Sequence, residues 1–287
     1  MHEFCVRVGP ASFRIVSAWK QPIALMRSLY ADYPTPDIPD YTVRLEAASF
    51  LRRYFRPSVA INGDYMLPDA APLPLDQALL AAEMGMNLQM ALGWRRQLIL
   101  HASAVERDGR ALIMTGESGS GKSTLSAMLG QDTATGGWRF MGDEFALIDP
   151  MTGDAVPYPR MISLKNQAIA AMQSAAPNGR FGPLMSGTPK GDIRHLVPPT
   201  DAITRMDERA MPASLLFPSF GHDAAIREMS DGETFMRLTQ ASTNYVALGE
   251  AGFTALTRFV KTVPAFAIDY RNGDEARDLV EQLWTKL

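Results

Sequence analysis

The run Gly116-Glu117-Ser118-Gly119-Ser120-Gly121-Lys122-Ser123, followed by Thr124, constrains this chain more than any other feature. It matches G-x-x-x-x-G-K-[ST] in full. Ahead of it, ALIMT is a short, apolar, β-prone run; behind it, STLSAML reads as a helix. Glycines let such a loop curl until successive N–H groups point inward at a helix N-terminus, which makes a nest for an anion. Lys122 can then reach the β- and γ-phosphates of a nucleoside triphosphate, and the Ser123 hydroxyl can ligate Mg²⁺. The expected ligands are therefore ATP and Mg²⁺, held by residues 116–124.

A loop of this kind serves ATPases, GTPases, switches and kinases alike, so its neighbours must decide. No guanine-reading N-K-x-D is present. The strand that ends in acidic residues is WRFMGDE, and Asp143 follows Lys122 by only 21 positions. That interval fits one short helix and an immediate return strand. Asp143 and Glu144 are thus expected beside the loop, able to hold Mg²⁺ or to accept a proton from a substrate hydroxyl. The competing reading is an exposed acidic turn. His101 ends the apolar run LIL, in a strand expected to form a hairpin with ALIMT through Asp108-Gly109. That geometry can bring an imidazole near the phosphates, although a lone histidine in a strand is more often a hydrogen-bonded core residue.

The rest of the 287 residues reads as an α/β chain in two parts, 1–95 and 96–287. Prolines at 34, 36, 39, 57, 68, 72 and 74 cut the first part into short pieces, with strand-like FCVRV, FRIVS and YTVRL. A helical pattern then runs from Asp76, a candidate N-cap, to about Trp94, with Leu79, Leu80, Glu83, Met84, Leu88 and Leu92 mostly on one stripe. In the second part WRFMGDEFALIDP reads as strand, a short helix spans about 166–172, and 174–200 is a Gly/Pro-rich stretch without periodicity. Stretches of that kind are usually lids or disordered. SLLFPSF, AAIREM and AFAIDY read as strands, among helices near 232–246, 251–262 and 274–286. The last of these has Ala276, Leu279, Val280, Leu283 and Leu287 on one side.

Composition narrows the class. One cysteine, Cys5, cannot form an intrachain disulfide, and no Cys/His cluster has zinc spacing. A net charge of −3 argues against broad affinity for nucleic acid or anionic membrane. RRYFRP (52–57) is basic and aromatic, but it reads better as a strand with solvated arginines. The start, MHEFCVRVGP, lacks a basic segment followed by an apolar run, so the expected location is cytoplasmic. The 17 methionines read as fillers of core gaps.

Taken together, LHASAVERDGRALIMTGESGSGKSTL, GWRFMGDEFALID, PYPRMISLKNQAI, TPKGDIRHLVPP and TNYVALGEAGF resemble the HPr kinase/phosphorylase family, most closely its HPr kinase-related kinase A branch. The likeness runs in order through about residues 97–265. RRYFRP and the EMGMNLQM helix extend it less specifically. It implies the P-loop core shared by HPr kinases and phosphoenolpyruvate carboxykinases, behind an N-terminal α+β region. Lys122 and Ser123 match the family's phosphate lysine and metal-binding hydroxyl, and His101 its histidine ahead of the loop. Asp143 falls on the first of two aspartates implicated in activating a serine and holding metal. Glu144 replaces the second, which leaves open which carboxylate is the base. The family's downstream Glu and Arg-Gly signature is missing, with ISLKN in its place, so neither reverse phosphorolysis nor HPr as target carries over.

Lys165 and Asn166 are candidates for contacting phosphate or substrate, against a strand-end lysine and a helix-capping asparagine. Lys190, Arg194 and His195 are candidates for a cationic loop closing over the transferred group, against a solvated loop. The expected activity is Mg-ATP-dependent phosphorylation of a hydroxyl, a serine of a protein or peptide. A small-molecule, carbohydrate-type hydroxyl kinase and a non-catalytic nucleotide-dependent switch are the alternatives. HPr kinases form hexamers, so the resemblance leaves a homo-oligomer open.

Overall fold

The computed structural model describes residues 1–67, 70–131 and 137–287; Pro68, one of the prolines noted above, lies outside them. The chain is mixed α/β and divides into two compact units. One is formed by Met1–Trp94 with Gly182–Arg194, the other by Arg95–Phe181 with His195–Leu287.

In the first unit, β1 (His2–Val8), β2 (Ala11–Ser17), β3 (Tyr41–Ala47), β4 (Ser58–Gly63) and β5 (Leu73–Pro74) form one sheet in that order. Only the β2–β3 pair is parallel. Helix α1 (Lys20–Leu29) makes the crossover that a parallel pair needs. Helix α2 (Ala78–Gly93) lies so close to the sheet that a Cβ on Gly85 would come within 2.5 Å of Val43 Cγ1. Three expectations need correction here. The chain enters α2 through a 3-10 turn, Leu75–Gln77, so the N-cap position is Gln77 and Asp76 sits inside that turn. The buried face of α2 carries Leu79, Ala82, Glu83, Met86 and Met90, while Met84 and Leu92 are exposed, because the close Gly85 contact sets which side meets the sheet. RRYFRP is not a strand: Leu51–Arg53 is a 3-10 turn and Arg56 has φ 46°, a left-handed reversal ahead of Pro57.

The second unit is built on a six-stranded sheet. Its members are β7 (Ala102–Arg107), β8 (Arg110–Thr115), β9 (Arg139–Gly142), β15 (Met211–Phe220), β16 (Ala225–Glu228) and β17 (Ala265–Tyr270), in the order β16-β17-β15-β8-β7-β9. The β7–β8 hairpin turns on Asp108 (φ 55°) and Gly109 (φ 76°), the two positive φ values that a two-residue turn of this hand demands. Period-2 alternation along β8 sends Leu112 and Met114 to one face, with α3 (Lys122–Gln131) and α8 (Gly273–Trp284). Ala111 and Ile113 go to the other face, with α6 (Asp231–Ala241) and α7 (Gly249–Thr262). Buried on α8 are Ala276, Val280 and Leu283, whereas Leu287 lies beyond its end and is exposed.

Two runs expected to be continuous strands are broken. LILHASAV divides into β6 (Leu98–Leu100) and β7, and WRFMGDEFALID into β9 and β10 (Ala146–Ile148). Strands β6 and β10 join β11 (Ala155–Val156) in a separate antiparallel sheet. The chain thus changes sheet twice, at His101 and at Asp143–Phe145. Beyond β11 come β12 (Ile162–Lys165) and α4 (Gln167–Ala175). The stretch expected to be structureless then contains a bulged hairpin, β13 (Met185–Thr188) with β14 (Gly191–Leu196), and α5 (Thr200–Thr204) follows it. Glycines at the turn hid that hairpin: Gly187 and Gly191 have φ 67° and 85°, which allows pairing without an alternating apolar pattern. No helix among the described residues is long and apolar enough to cross a membrane.

Candidate active site

Strand direction gathers the site. Strand β8 runs parallel to β15, and β15 parallel to β17, so Thr115, Phe220 and Tyr270 end at one edge of the sheet. Strand β7 is antiparallel to both β8 and β9, so β9 runs with β8 and its last residue, Gly142, comes out at that same edge. The start of β7 lies there too. Three separate segments therefore meet: His101 before β7, the loop after β8, and Asp143 after β9. The carboxyl ends of parallel strands are where α/β sheets bind ligands.

The loop from Gly116 to Gly121 joins β8 to α3 and uses φ values of 151°, 88° and 97° at Gly116, Gly119 and Gly121. At Gly121 nothing but glycine fits, because a Cβ would lie 2.0 Å from Tyr270 Oη. That hydroxyl donates to Ser120 O at 3.2 Å, and Phe220 packs edge-on against its ring. Burial pushes the Tyr270 phenol pKa up, which keeps it a donor at any physiological pH. Lys122 is 8% exposed, and its Nζ donates to Gly116 O and Glu117 O, both at 2.7 Å. Burial lowers its pKa, while the charges of Asp143 and Glu144 oppose that shift.

Asp143 is 2% exposed. Its Oδ1 accepts from Ser103 Oγ at 2.7 Å, and its buried Oδ2 has no hydrogen-bond partner among the described residues. Burial pushes its pKa above the ordinary carboxylate value and the Glu144 charge adds to that, while the Ser103 and Ser123 hydroxyls and the Glu144 backbone N–H pull it back. The strand behind it is firmly held. Arg139 on β9 donates from Nε to Glu106 Oε2 on β7 (2.6 Å), and from its other nitrogens to the carbonyls of Arg205 and Glu208.

Glu144, next in sequence, is in a different situation. Its φ of 68° turns the backbone toward β10. Oε2 lies 3.1 Å from His101 Nε2, and Oε1 lies 3.5 Å from Lys165 Nζ. Burial alone would raise its pKa, but His101, Lys165 and Arg160 outweigh that and hold the carboxyl far below its usual range. His101 is thus neither a core residue nor a hairpin strand residue. It sits at the break between sheets, with its N–H donating to Ala241 O (2.7 Å) and its carbonyl accepting from Thr115 Oγ1 (3.1 Å).

One cavity of about 640 Å³ opens on these groups. Of the residues expected at the site, His101, Ser118, Gly119, Gly121, Lys122, Ser123, Thr124, Asp143, Glu144, Lys165 and Asn166 line it. Gly116, Glu117 and Ser120 shape the loop from behind. Asn166 occupies the N-cap position of α4, yet its side chain makes no capping bond; its φ of 51° and ψ of −119° are strained for a residue with a Cβ. Lys190, Arg194 and His195 belong to the hairpin and not to a structureless stretch, Lys190 in its turn and the other two on β14. Lys190 is exposed, Arg194 donates from Nε to Gly182 O at 2.8 Å, and His195 is 1% exposed and does not line the cavity.

Sequence reasoning missed Ser103, Ser163, Phe220, Tyr270 and the small residues of α4 and α8 on the cavity wall. Ser103, Ser163 and Ala168 lie inside stretches that carry the resemblance but had no role assigned, and Phe220, Tyr270 and the α8 residues lie outside them. Only the parallel pairing of β8, β15 and β17 brings Phe220 and Tyr270, about 100 and 150 positions downstream, to the loop.

The donor set suits Mg²⁺ better than a softer metal. Among the described residues no three His, Cys, Asp or Glu side chains are grouped to hold an ion alone. Mg²⁺ does not require such a cage; it is typically held by one or two carboxylates together with substrate phosphates. Asp143 and Ser123, both among the residues that line the cavity, supply hard oxygen donors of the right kind.

No model of a known family matches the chain, and a search of curated proteins gives no match.

Proposed function

We propose that this chain is a Mg-ATP-dependent phosphotransferase with a P-loop core of the HPr kinase type, passing the γ-phosphoryl group to a hydroxyl, a serine of a protein or peptide. The observation that carries this reading is a buried Asp143, one of its oxygens without a close hydrogen-bond partner, in the lining of the cavity that Lys122 and Ser123 also line. Such a carboxylate is costly to bury unless a cation or a proton donor completes it. The HPr kinase-type core is favoured by the short interval from Lys122 to Asp143, spanned by α3 and an immediate return strand β9.

In this reading the loop amides and Lys122 cradle the polyphosphate, Lys122 exchanging its two loop carbonyls for phosphate oxygens. Ser123 and Asp143 hold Mg²⁺. Bound between these residues and the phosphates, the ion would supply charge neutralisation. Ser103 fixes the orientation of Asp143 through Oδ1. The acceptor hydroxyl proton would pass to Asp143 or Glu144, of which Glu144 is held ionised by His101 and Lys165.

The test is incubation of the purified protein with γ-labelled ATP, Mg²⁺ and a cell lysate, resolved by mass into proteins, peptides and metabolites. Label on serine of a protein or peptide is expected. Label on a metabolite instead would transfer the reading to a small-molecule hydroxyl kinase, and no labelled acceptor at all would leave a nucleotide-dependent switch. Lys122→Ala is expected to abolish ATP turnover. Asp143→Asn is expected to keep nucleotide binding and lose transfer; normal transfer by that variant would remove the role given to Asp143.

A further inference from the structure

The run Arg52–Pro57 serves no part of the chemistry above, yet the first unit holds it out in a built form. Its large side chains, with those just ahead of it, stand in water. Phe50 is 85% exposed, Leu51 65%, Tyr54 70% and Phe55 61%, four such residues within six positions. Single exposed apolar residues are ordinary, but a contiguous patch marks an interaction site. The turn is pinned from below. Trp19 Nε1 donates to Arg53 O at 3.2 Å, and the Phe55 N–H donates to Leu51 O at 2.9 Å. Phe50 and Tyr54 meet edge-on, with ring centres 5.9 Å apart. Arg53 lies over the Tyr54 ring and Arg56 over the Phe55 ring, each guanidinium 5.7 Å from the ring centre.

The three positive charges here are unanswered. Elsewhere exposed arginines have carboxylate partners, as Arg14 has Glu3 and Arg227 has Glu233. Among the described residues no carboxylate pairs with Arg52, Arg53 or Arg56, and Arg52 donates only to a carbonyl, that of Arg56, at 3.4 Å. Arg52 and Arg56 also line a cavity of about 780 Å³, with Pro72, Pro74 and Leu75 on its wall and Asp76 as the one acidic residue among those described. Prolines and a leucine offer an apolar seat, and a guanidinium beside it offers a forked match to a carboxylate.

We infer that this turn and its cavity dock an acidic segment of a partner protein, one apolar side chain entering the cavity while flanking carboxylates meet Arg52, Arg53 and Arg56. Arginine and aromatic side chains are those that dominate protein interfaces. Three charges are too few for a nucleic acid, whose binding rests on many neutralised phosphates, and fewer than the roughly four to eight basic residues of a lipid-binding cluster. The inference goes beyond the phosphotransferase reading and does not depend on it.

Fluorescence anisotropy on the full chain tests this with a labelled copolymer of glutamate and tyrosine, beside polyglutamate and oligouridylate, and with co-sedimentation on phosphatidylserine vesicles. The parent is expected to bind the copolymer, and polyglutamate at least about tenfold more weakly. Arg52→Ala/Arg53→Ala and, separately, Tyr54→Ala/Phe55→Ala should each weaken the copolymer roughly tenfold or more, the scale of truncating an interface hot spot, with Tm unchanged. No binding by the parent, or undiminished binding by either variant, would overturn the docking site. Equal binding of polyglutamate would overturn it too, because charge alone would then suffice. Tighter binding of oligouridylate or of the vesicles would assign the surface to a nucleic acid or a membrane instead. Self-association of the parent, lost in Arg52→Ala/Arg53→Ala, would assign it to a second copy of the chain and likewise overturn the proposal. None of these outcomes touches the phosphotransferase reading, which Lys122→Ala tests.

Discussion

Gly121 and Tyr270 show how single residues hold the site open. The loop needs a left-handed residue at 121, and the space where a side chain would begin is occupied by the Tyr270 hydroxyl. Gly121→Ala is therefore expected to displace the loop and to lose nucleotide binding, read by titration calorimetry. Tyr270→Phe is milder. It deletes one neutral hydrogen bond, worth about 0.5–1.5 kcal/mol, so KM for ATP should rise roughly two- to twelvefold with the fold intact. A KM unchanged in Tyr270→Phe would mean that the hydroxyl merely fills space. Gly109 is a useful contrast, because it too has positive φ but no neighbour within 4 Å of an added Cβ. Gly109→Ala should cost about 1–2 kcal/mol of stability through backbone strain alone, with activity at the distant edge unaffected.

Among elements, α8 is clamped to the sheet by a charged and aromatic group. Arg107 on β7 makes two hydrogen bonds to Glu281 and lies 4.0 Å from the centre of the Trp138 ring. Trp138 Nε1 also donates to Glu281, and its ring meets Trp284 edge-on. The bonds from Arg107 hold the Glu281 carboxyl below its usual range, with Trp138 assisting and partial burial opposing. A depressed carboxyl contributes stability above its unfolded value, about 4.3, and loses it as pH falls through the lower folded value. Glu281→Gln should accordingly lower Tm at pH 7, and the gap to the parent should close below about pH 4. The side chain is 44% exposed, so the effect belongs to the surface-pair scale of about 1 kcal/mol or less. A gap that widened in acid would contradict the assignment.

For the whole molecule, ligand binding and stability are linked. A nucleotide at one hundred times its dissociation constant adds about 2.7 kcal/mol to the unit that holds the cavity. At this size that is roughly 5–10 °C in Tm. Differential scanning with and without Mg-ATP should show the rise in the parent and none in Lys122→Ala. A parent Tm indifferent to Mg-ATP would count against the site itself.

Much of this was legible in the chain. The strand–loop–helix at 110–131, the hairpin at Asp108-Gly109 and the short return to Asp143 are local features, governed by glycine conformation, alternation and spacing. What stayed illegible depends on contacts between distant segments. The breaks at His101 and at Asp143–Phe145 arise because each flanking half finds a different partner strand. The burial that separates Asp143 from Glu144 needs Ser103 on one side and His101 with Lys165 on the other. The place of the glycine loop between strand and helix was determined by the sequence alone, since it depends on neighbours a few bonds away, although Tyr270 reaches it from far along the chain. Which carboxylate is buried with an open oxygen, and which walls face the loop, only the tertiary structure decided, because burial and charge pairing exist only once remote strands have been brought side by side.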